Sequence, residues 1–173
     1  MSESILRPAT STDIPALAQL GRDSFVAKFA HLYRPADLAE FLEATHSDAA
    51  VTAEMANPER RYCVIEQDGA LLAYAKLSLA CGWPEYARGE KAIEIKQFYT
   101  APGLSGQGIG ARLMDWALGQ ARGHGADEIQ LSVWSENFGA QKFYARYGFA
   151  KVADITFRVG EQLDAEFLFA LMI

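Results

Sequence analysis

The sequence predicts a mixed α/β (α+β) fold built as a single domain over residues 1–173. Three observations predict it. The chain is long enough for a full hydrophobic core, and half of its residues are hydrophobic, which excludes a disordered chain. Apolar positions recur at helical spacing in some segments and as short strand-like runs in others. A glycine-rich loop with Gly103, Gly106, Gly108 and Gly110 runs straight from a strand into a helix.

The elements follow in order. Ile5 to Ala9 is a short first strand. Thr12 is placed to cap a helix, with Asp13 and Pro15 in its first turn and Ile14, Leu17, Ala18, Gly21, Phe25 and Phe29 at helical spacing. Pro35 opens a second helix, and Ser47 caps a third that ends before Pro58. Tyr62 to Glu66 and Ala70 to Leu79 read as strands joined at Gln67-Asp68-Gly69, a hairpin signal. A loop from Cys81 to Glu90 leads to the strand beginning at Ile93. The helix after the glycine loop spans Ala111 to about Arg122 and stops at Gly123-His124-Gly125. A strand from Ile129 to Trp134, a helix capped by Gly148, and strands Val152–Val159 and Glu166–Met172 complete the chain. The order is β-α-α-(α)-β-β-β-α-β-α-β-β.

The glycine loop points to a phosphate-bearing ligand. Unpaired N–H groups at a helix start, and the dipole behind them, favour an anion. Glycine lets the backbone take positive φ and lets a phosphate approach without a Cβ in the way. A P-loop is excluded, because Ile109-Gly110 follows Gly108 where Lys-Ser/Thr is required. A dinucleotide fingerprint fits Gly106, Gly108 and Ala111 by spacing. Its acidic partner, however, would be Asp127-Glu128, which precedes the next strand instead of ending it. Coenzyme A is the third candidate.

Two segments decide in favour of the third. Ser105 to Gly110 resembles motif A of the GCN5-related N-acetyltransferases, Gln/Arg-x-x-Gly-x-Gly/Ala, with Gly108 and Gly110 at its glycine positions. Asn137 to Phe149 resembles motif B, with Asn137, Ala140, Phe143, Tyr144, Gly148 and Phe149 all matching. The resemblance implies that family's fold, a central mixed, mostly antiparallel sheet flanked by helices. It implies acetyl-CoA as co-substrate, an amine as acceptor, and direct attack in a ternary complex without a metal. It implies cofactor contacts from Phe98, Tyr99 and Thr100 on the strand, Ser105, Gly106, Gln107, Gly108, Ile109 and Gly110 in the loop, and Asn137 and Tyr144 on the following helix. A backbone N–H near Phe98 or Tyr99 would face the thioester oxygen. Ser105 departs from the usual Gln or Arg, so cofactor binding would rest on the backbone and the dipole.

Tyr144 is the candidate general acid. A thiol titrates at about 8.5 and a free tyrosine at about 10, so the proton transfer is roughly matched. Glu94, where relatives often carry a glutamate working through water, is the candidate base. With an ordinary pKa of about 4.3 it would need burial or a relay. Tyr33, Glu85 and Tyr86 fall in segments that line the acceptor pocket in relatives, but each reads first as packing or surface. Trp134 ends a strand next to motif B, where it could touch either ligand, but it reads first as core.

The remaining features set limits. A net charge of −6 and a pI near 5.1 exclude a basic nucleic-acid binder and suit a cationic amine. His31, His46 and His124 show no ligand spacing, so no metal site is expected. Cys63 and Cys81 read as reduced thiols, and no signal pattern or long apolar run is present, so a cytoplasmic protein off the membrane is expected. Short matches at Ser24-Phe25, Phe29, Pro35 to Leu38 and Tyr74 to Leu77 resemble bacterial spermine/spermidine acetyltransferases, which implies a small cationic amine such as a polyamine. A protein or peptide N-acetyltransferase and a non-catalytic CoA-binding sensor are the alternatives. Relatives commonly form homodimers, but no residue marks one here.

Overall fold

A computed structural model describes residues 2–173. The strands are β1 (Ile5–Pro8), β2 (Arg60–Gln67), β3 (Ala70–Ser78), β4 (Ala92–Thr100), β5 (Glu128–Trp134), β6 (Ala150–Val159) and β7 (Gln162–Met172). They form one seven-stranded sheet in the order β1-β2-β3-β4-β5-β7-β6. The pairs are antiparallel except β4 with β5, which is parallel. The expected mixed, mostly antiparallel sheet is therefore present.

Strand alternation divides the core between the two faces. Val64 and Tyr74 face α1 (Ile14–Phe29) and α3 (Asp48–Ala56), meeting Leu17, Leu20 and Val51. Their neighbours Cys63, Ile65, Ala73 and Ala75 face the opposite way, towards Ile109 and Leu113 of α4 (Ile109–Gly123). Further along, Ile93, Ile129 and Leu131 pack with Met114, Ala117 and Ala121 of α4 and with Tyr144 of α5 (Phe138–Arg146). The remaining helix, α2 (Pro35–His46), ties α1 to β6 through Phe41, whose ring lies 4.5 Å from Phe25 and 5.6 Å from Phe157.

Local chemistry explains most boundaries. Asp68 (φ 53°) and Gly69 (φ 81°) are both left-handed, the geometry of a two-residue hairpin turn. Ser47 accepts the Ala50 N–H at 3.1 Å and caps α3. The expected cap at Thr12 is replaced by a short 3-10 turn, Ser11–Asp13. There the Asp13 carboxylate accepts the Thr10 N–H at 2.7 Å and is gripped by Arg7 through bonds of 2.8 and 2.9 Å. That grip sets the start of the turn at Thr10, two residues ahead of Thr12. α4 starts at Ile109 instead of Ala111, because left-handed Gly108 (φ 77°) already supplies the turn into the helix. β7 starts at Gln162, earlier than expected, since Gly160 (φ 59°) allows Val159 to pair with Gln162.

One irregularity creates the site. β4 pairs with β5 only from Ala92 to Ile95, against Glu128 to Leu131. Leu77 lies opposite Ile95 and Lys76 opposite Gln97, so Lys96 is the extra residue of a β-bulge. A bulge bends its strand. Beyond it β4 stays with β3 while β5 stays with β7, and the sheet opens as a wedge.

Candidate active site

Two cavities occupy the wedge, one opening on each face. The larger, about 780 Å³, lies between the end of β4, the glycine loop and α5. Ser105, Gly106, Gly108, Ile109, Gly110 and Thr100 contribute to its wall. Gly108 has φ 77° and ψ 0° and precedes α4. A Cβ built on Gly106 or Gly108 would meet nothing within 4 Å, so both face open space. Since Arg112 N–H makes the bond to Gly108 O, the amides before it lack helical partners. Open glycines, free amides and a dipole together fit a phosphate group. Arg146 and Lys28 add positive charge to the same cavity.

The smaller cavity, about 140 Å³, lies on the α1 side. Its walls include Phe25 and Phe29 of α1, Tyr33, Trp134 and Phe157. The Phe29 and Trp134 rings meet edge to face at 5.7 Å. Two carboxylates on β7, Asp164 and Glu166, face this aromatic enclosure. Asp164 accepts a hydrogen bond from the Tyr33 hydroxyl and another, at 3.0 Å, from the Gln162 side-chain amide. Burial first, then Asp164, pushes the Tyr33 phenol well above its ordinary pKa. Glu166 is pushed up to about 7, mainly by burial and further by neighbouring Asp164, against a smaller opposing pull from the Ser132 hydroxyl.

Phe98, Asn137, Ala140, Tyr144 and Lys28 line both cavities. A group held in one cavity therefore abuts a group held in the other. Tyr144 is buried, with its ring 6.1 Å from Phe98 and 5.9 Å from Phe149. Burial raises its pKa well above the ordinary value. The rough match with a thiol expected from the sequence is thereby lost: the phenol is a weaker acid and a firmly protonated hydrogen-bond donor. Asn137 caps α5 by accepting the Ala140 N–H at 3.2 Å, and its position on both cavity walls leaves room for a ligand contact as well.

Residues 24–149 match the sequence profile of the Acetyltransferase (GNAT) family. The chain belongs to that family. It is thus an acyltransferase that uses acetyl-CoA as co-substrate. Among curated relatives of this GNAT chain, an uncharacterized N-acetyltransferase of Mycobacterium tuberculosis is 30% identical over 158 residues, covering 91% of this chain and 96% of the relative. An uncharacterized N-acetyltransferase of Lactobacillus delbrueckii subsp. lactis is 27% identical over 156 residues, covering 90% of both. The PaiA N-acetyltransferase from Thermoplasma acidophilum, solved with coenzyme A, shares the fold with a TM-score of 0.77 at 17% identity, over 99% of this chain and 100% of that one.

Most site residues expected for this GNAT chain converge, but two expected cofactor contacts and the expected base lie elsewhere. Gln107 is exposed and does not line the larger cavity. Tyr99 lines only the smaller one and packs against His46 and Tyr74. Glu94 lines neither. It sits before the bulge, on β4, where Gly82 closes over it: a Cβ there would come within 2.9 Å of Glu94 Oε2. Burial raises the Glu94 pKa, and Lys96 Nζ, 3.9 Å away, partly offsets this. Lys96 itself lines the smaller cavity.

The sequence reading missed Glu166, Asp164, Lys28 and Phe157. Of the two readings open for Trp134, core or ligand contact, its place on the wall of the smaller cavity favours the second. The available signal was the alternation of Asp164 and Glu166 on one face of the last strand, an odd place for two carboxylates. Among the described residues, no helix is long and apolar enough to cross a membrane.

Proposed function

We propose that this GNAT enzyme acetylates the primary amine of a small cationic molecule, of the alkylamine or polyamine kind, by direct attack on acetyl-CoA in a ternary complex. The observation that carries the reading is the meeting of two unlike cavities at Phe98, Asn137, Ala140 and Tyr144. One is roomy with a glycine-lined phosphate cradle. The other is narrow and aromatic, with the carboxylates of Asp164 and Glu166 set against Lys28 and Lys96, and its small volume suits a small amine better than a peptide chain.

In this reading the loop from Ser105 to Gly110 and the start of α4 hold the pyrophosphate through backbone N–H groups, with Arg146 replacing charge that Ser105 cannot supply. The pantetheine arm runs beside the edge of β4 from Lys96 to Thr100, which has no strand partner on the wedge side. A free N–H near Phe98 faces the thioester oxygen and stabilises the oxyanion. Tyr144 donates a hydrogen bond to the departing sulfur, which has greater affinity for it as negative charge builds. Glu94 would have to act on the amine through Lys96 or through water.

Titration calorimetry with acetyl-CoA, with NADH and ATP as controls, tests the donor half. Release of CoA thiol in the presence of primary amines, diamines and short peptides tests the acceptor half. Binding of acetyl-CoA alone and turnover with small amines are expected. A preference for NADH, or turnover only with peptides, would overturn the reading.

A further inference from the structure

The smaller cavity holds more acid–base chemistry than its lining role requires, and its members differ in how they are engaged. Asp164 is buried and occupied, accepting from Tyr33 and Gln162. Tyr33 spends its proton on Asp164. Lys28 and Lys96 are cations that would repel an ammonium, Lys28 from α1 and Lys96 from the β4 bulge. Tyr99 on β4, half-buried, and Tyr144 on α5, buried, are phenols with pKa values raised by burial, and neither can accept a proton near neutrality. Glu166 remains. Its backbone lies between Trp134 of β5 and Ile155 of β6 in the sheet ladder. The Ser132 hydroxyl stands beside it as a donor side chain.

We infer that Glu166 is the catalytic base, taking the proton from the acceptor ammonium in the smaller cavity. The inference rests on the proposed function. Three observations support it. Glu166 lines the cavity that shares Tyr144 and Phe98 with the cofactor side, whereas Glu94 does not. Its aromatic surroundings, Phe25, Phe29 and Trp134, can hold the alkyl part of an amine and exclude bulk water. Its affinity for a proton, raised to about 7 by burial, suits a group that must be ionised yet receptive at neutral pH.

The step balances as follows. The ammonium gives one proton to Glu166, which releases it to solvent. The freed lone pair attacks the thioester carbon, forming the C–N bond and an oxyanion. Collapse breaks the C–S bond. The nitrogen loses a second proton, and the departing sulfur, held by the Tyr144 hydroxyl, gains one, leaving an amide and a CoA thiol. Asp164, held by Tyr33 and Gln162, is a second carboxylate on the same cavity wall.

The test is the pH profile of kcat/KM for the best amine of a panel comprising propylamine, 1,4-diaminobutane and 2-phenylethylamine, for wild type, Glu166→Gln and Glu166→Asp. For wild type, activity should rise through a pH of about 7. In Glu166→Gln that inflection should vanish, with kcat at neutral pH down about 10²- to 10⁴-fold, the usual worth of a positioned base. KM for acetyl-CoA should hold. The deficit should narrow as the pH approaches the amine's own pKa of about 10, where free amine needs no base. Glu166→Asp should keep an inflection and part of the rate. A Glu166→Gln enzyme within twofold of wild type, or one whose deficit is the same at every pH, would overturn the role. A wild type that binds acetyl-CoA yet acetylates no amine would instead overturn the proposed function, and this role with it.

Discussion

Gly108→Ala separates the two duties of the glycine loop. The new Cβ would touch nothing within 4 Å, so its structural cost comes from the backbone alone. At φ 77° and ψ 0° a non-glycine residue carries about 1–2 kcal/mol of strain. For a chain of this size each kcal/mol lowers Tm by about 2–4 °C, so a fall of about 2–8 °C is expected. Gly69→Ala provides the matched comparison. It has φ 81° and equally open surroundings, but it sits at the β2–β3 hairpin tip, away from both cavities. The two variants should melt alike. They should differ in acetyl-CoA binding measured by calorimetry, because only the Gly108 methyl intrudes where a phosphate would rest. A tenfold loss, about 1.4 kcal/mol, is the threshold worth reading. Equal affinities for both variants would refute the idea that this loop cradles the cofactor.

Other outcomes follow from the same geometry. Tyr144→Phe should lower kcat by about 10²-fold while leaving the acetyl-CoA KM in place, since only the bond to the leaving sulfur is removed; steady-state thiol release measures it. Glu166→Gln should make the fold more stable at pH 8. The folded pKa, about 7, lies above the ordinary 4.5, so ionisation costs the native state up to about 3 kcal/mol above pH 7 and nothing below pH 4.5. Urea melts at pH 8 and pH 4.5 should show the gain only at the higher pH. Asp13→Asn should do the reverse. Arg7 holds the Asp13 pKa at about 2, below the usual 3.8, so about 2 kcal/mol of stability is present above pH 3.8 and is lost as pH falls through about 2. The melting gap between wild type and Asp13→Asn should close in that acid range.

Much of the cofactor side was legible because it is local. A strand, a glycine loop, a helix start and a capped helix follow one another along the chain, and each leaves its own spacing between Ile93 and Phe149. The smaller cavity, the side proposed for the acceptor, was not legible because it is assembled at long range. Phe25 and Phe29 recur at helical spacing, as core residues would, and only the folded sheet brings them to Trp134 and β7. Glu166 lies 72 residues after Glu94 and reads as an ordinary strand charge until the wedge puts it opposite Tyr144's helix. The bulge at Lys96 decided which residues face which cavity, and a one-residue register shift leaves no trace in composition or periodicity. Tyr144 was found by its motif, but its raised pKa depends on neighbours from other strands and helices.

The short ladder between β4 and β5 has a mechanical consequence. With pairing confined to Ala92–Ile95 and Glu128–Leu131, the molecule is two stiff leaves bound along a short spine, β1-β2-β3-β4 on one side and β5-β7-β6 on the other. The free margins of the leaves have the longest lever arm and therefore the greatest amplitude of breathing. A ligand inserted between them works like a page marker glued to both leaves, and it restrains them once it touches both. Truncated cofactors that keep the phosphates but lack the thiol end should grip one leaf only. They would leave amide exchange along Lys96–Thr100 as fast as in the empty protein, whereas acetyl-CoA would slow it.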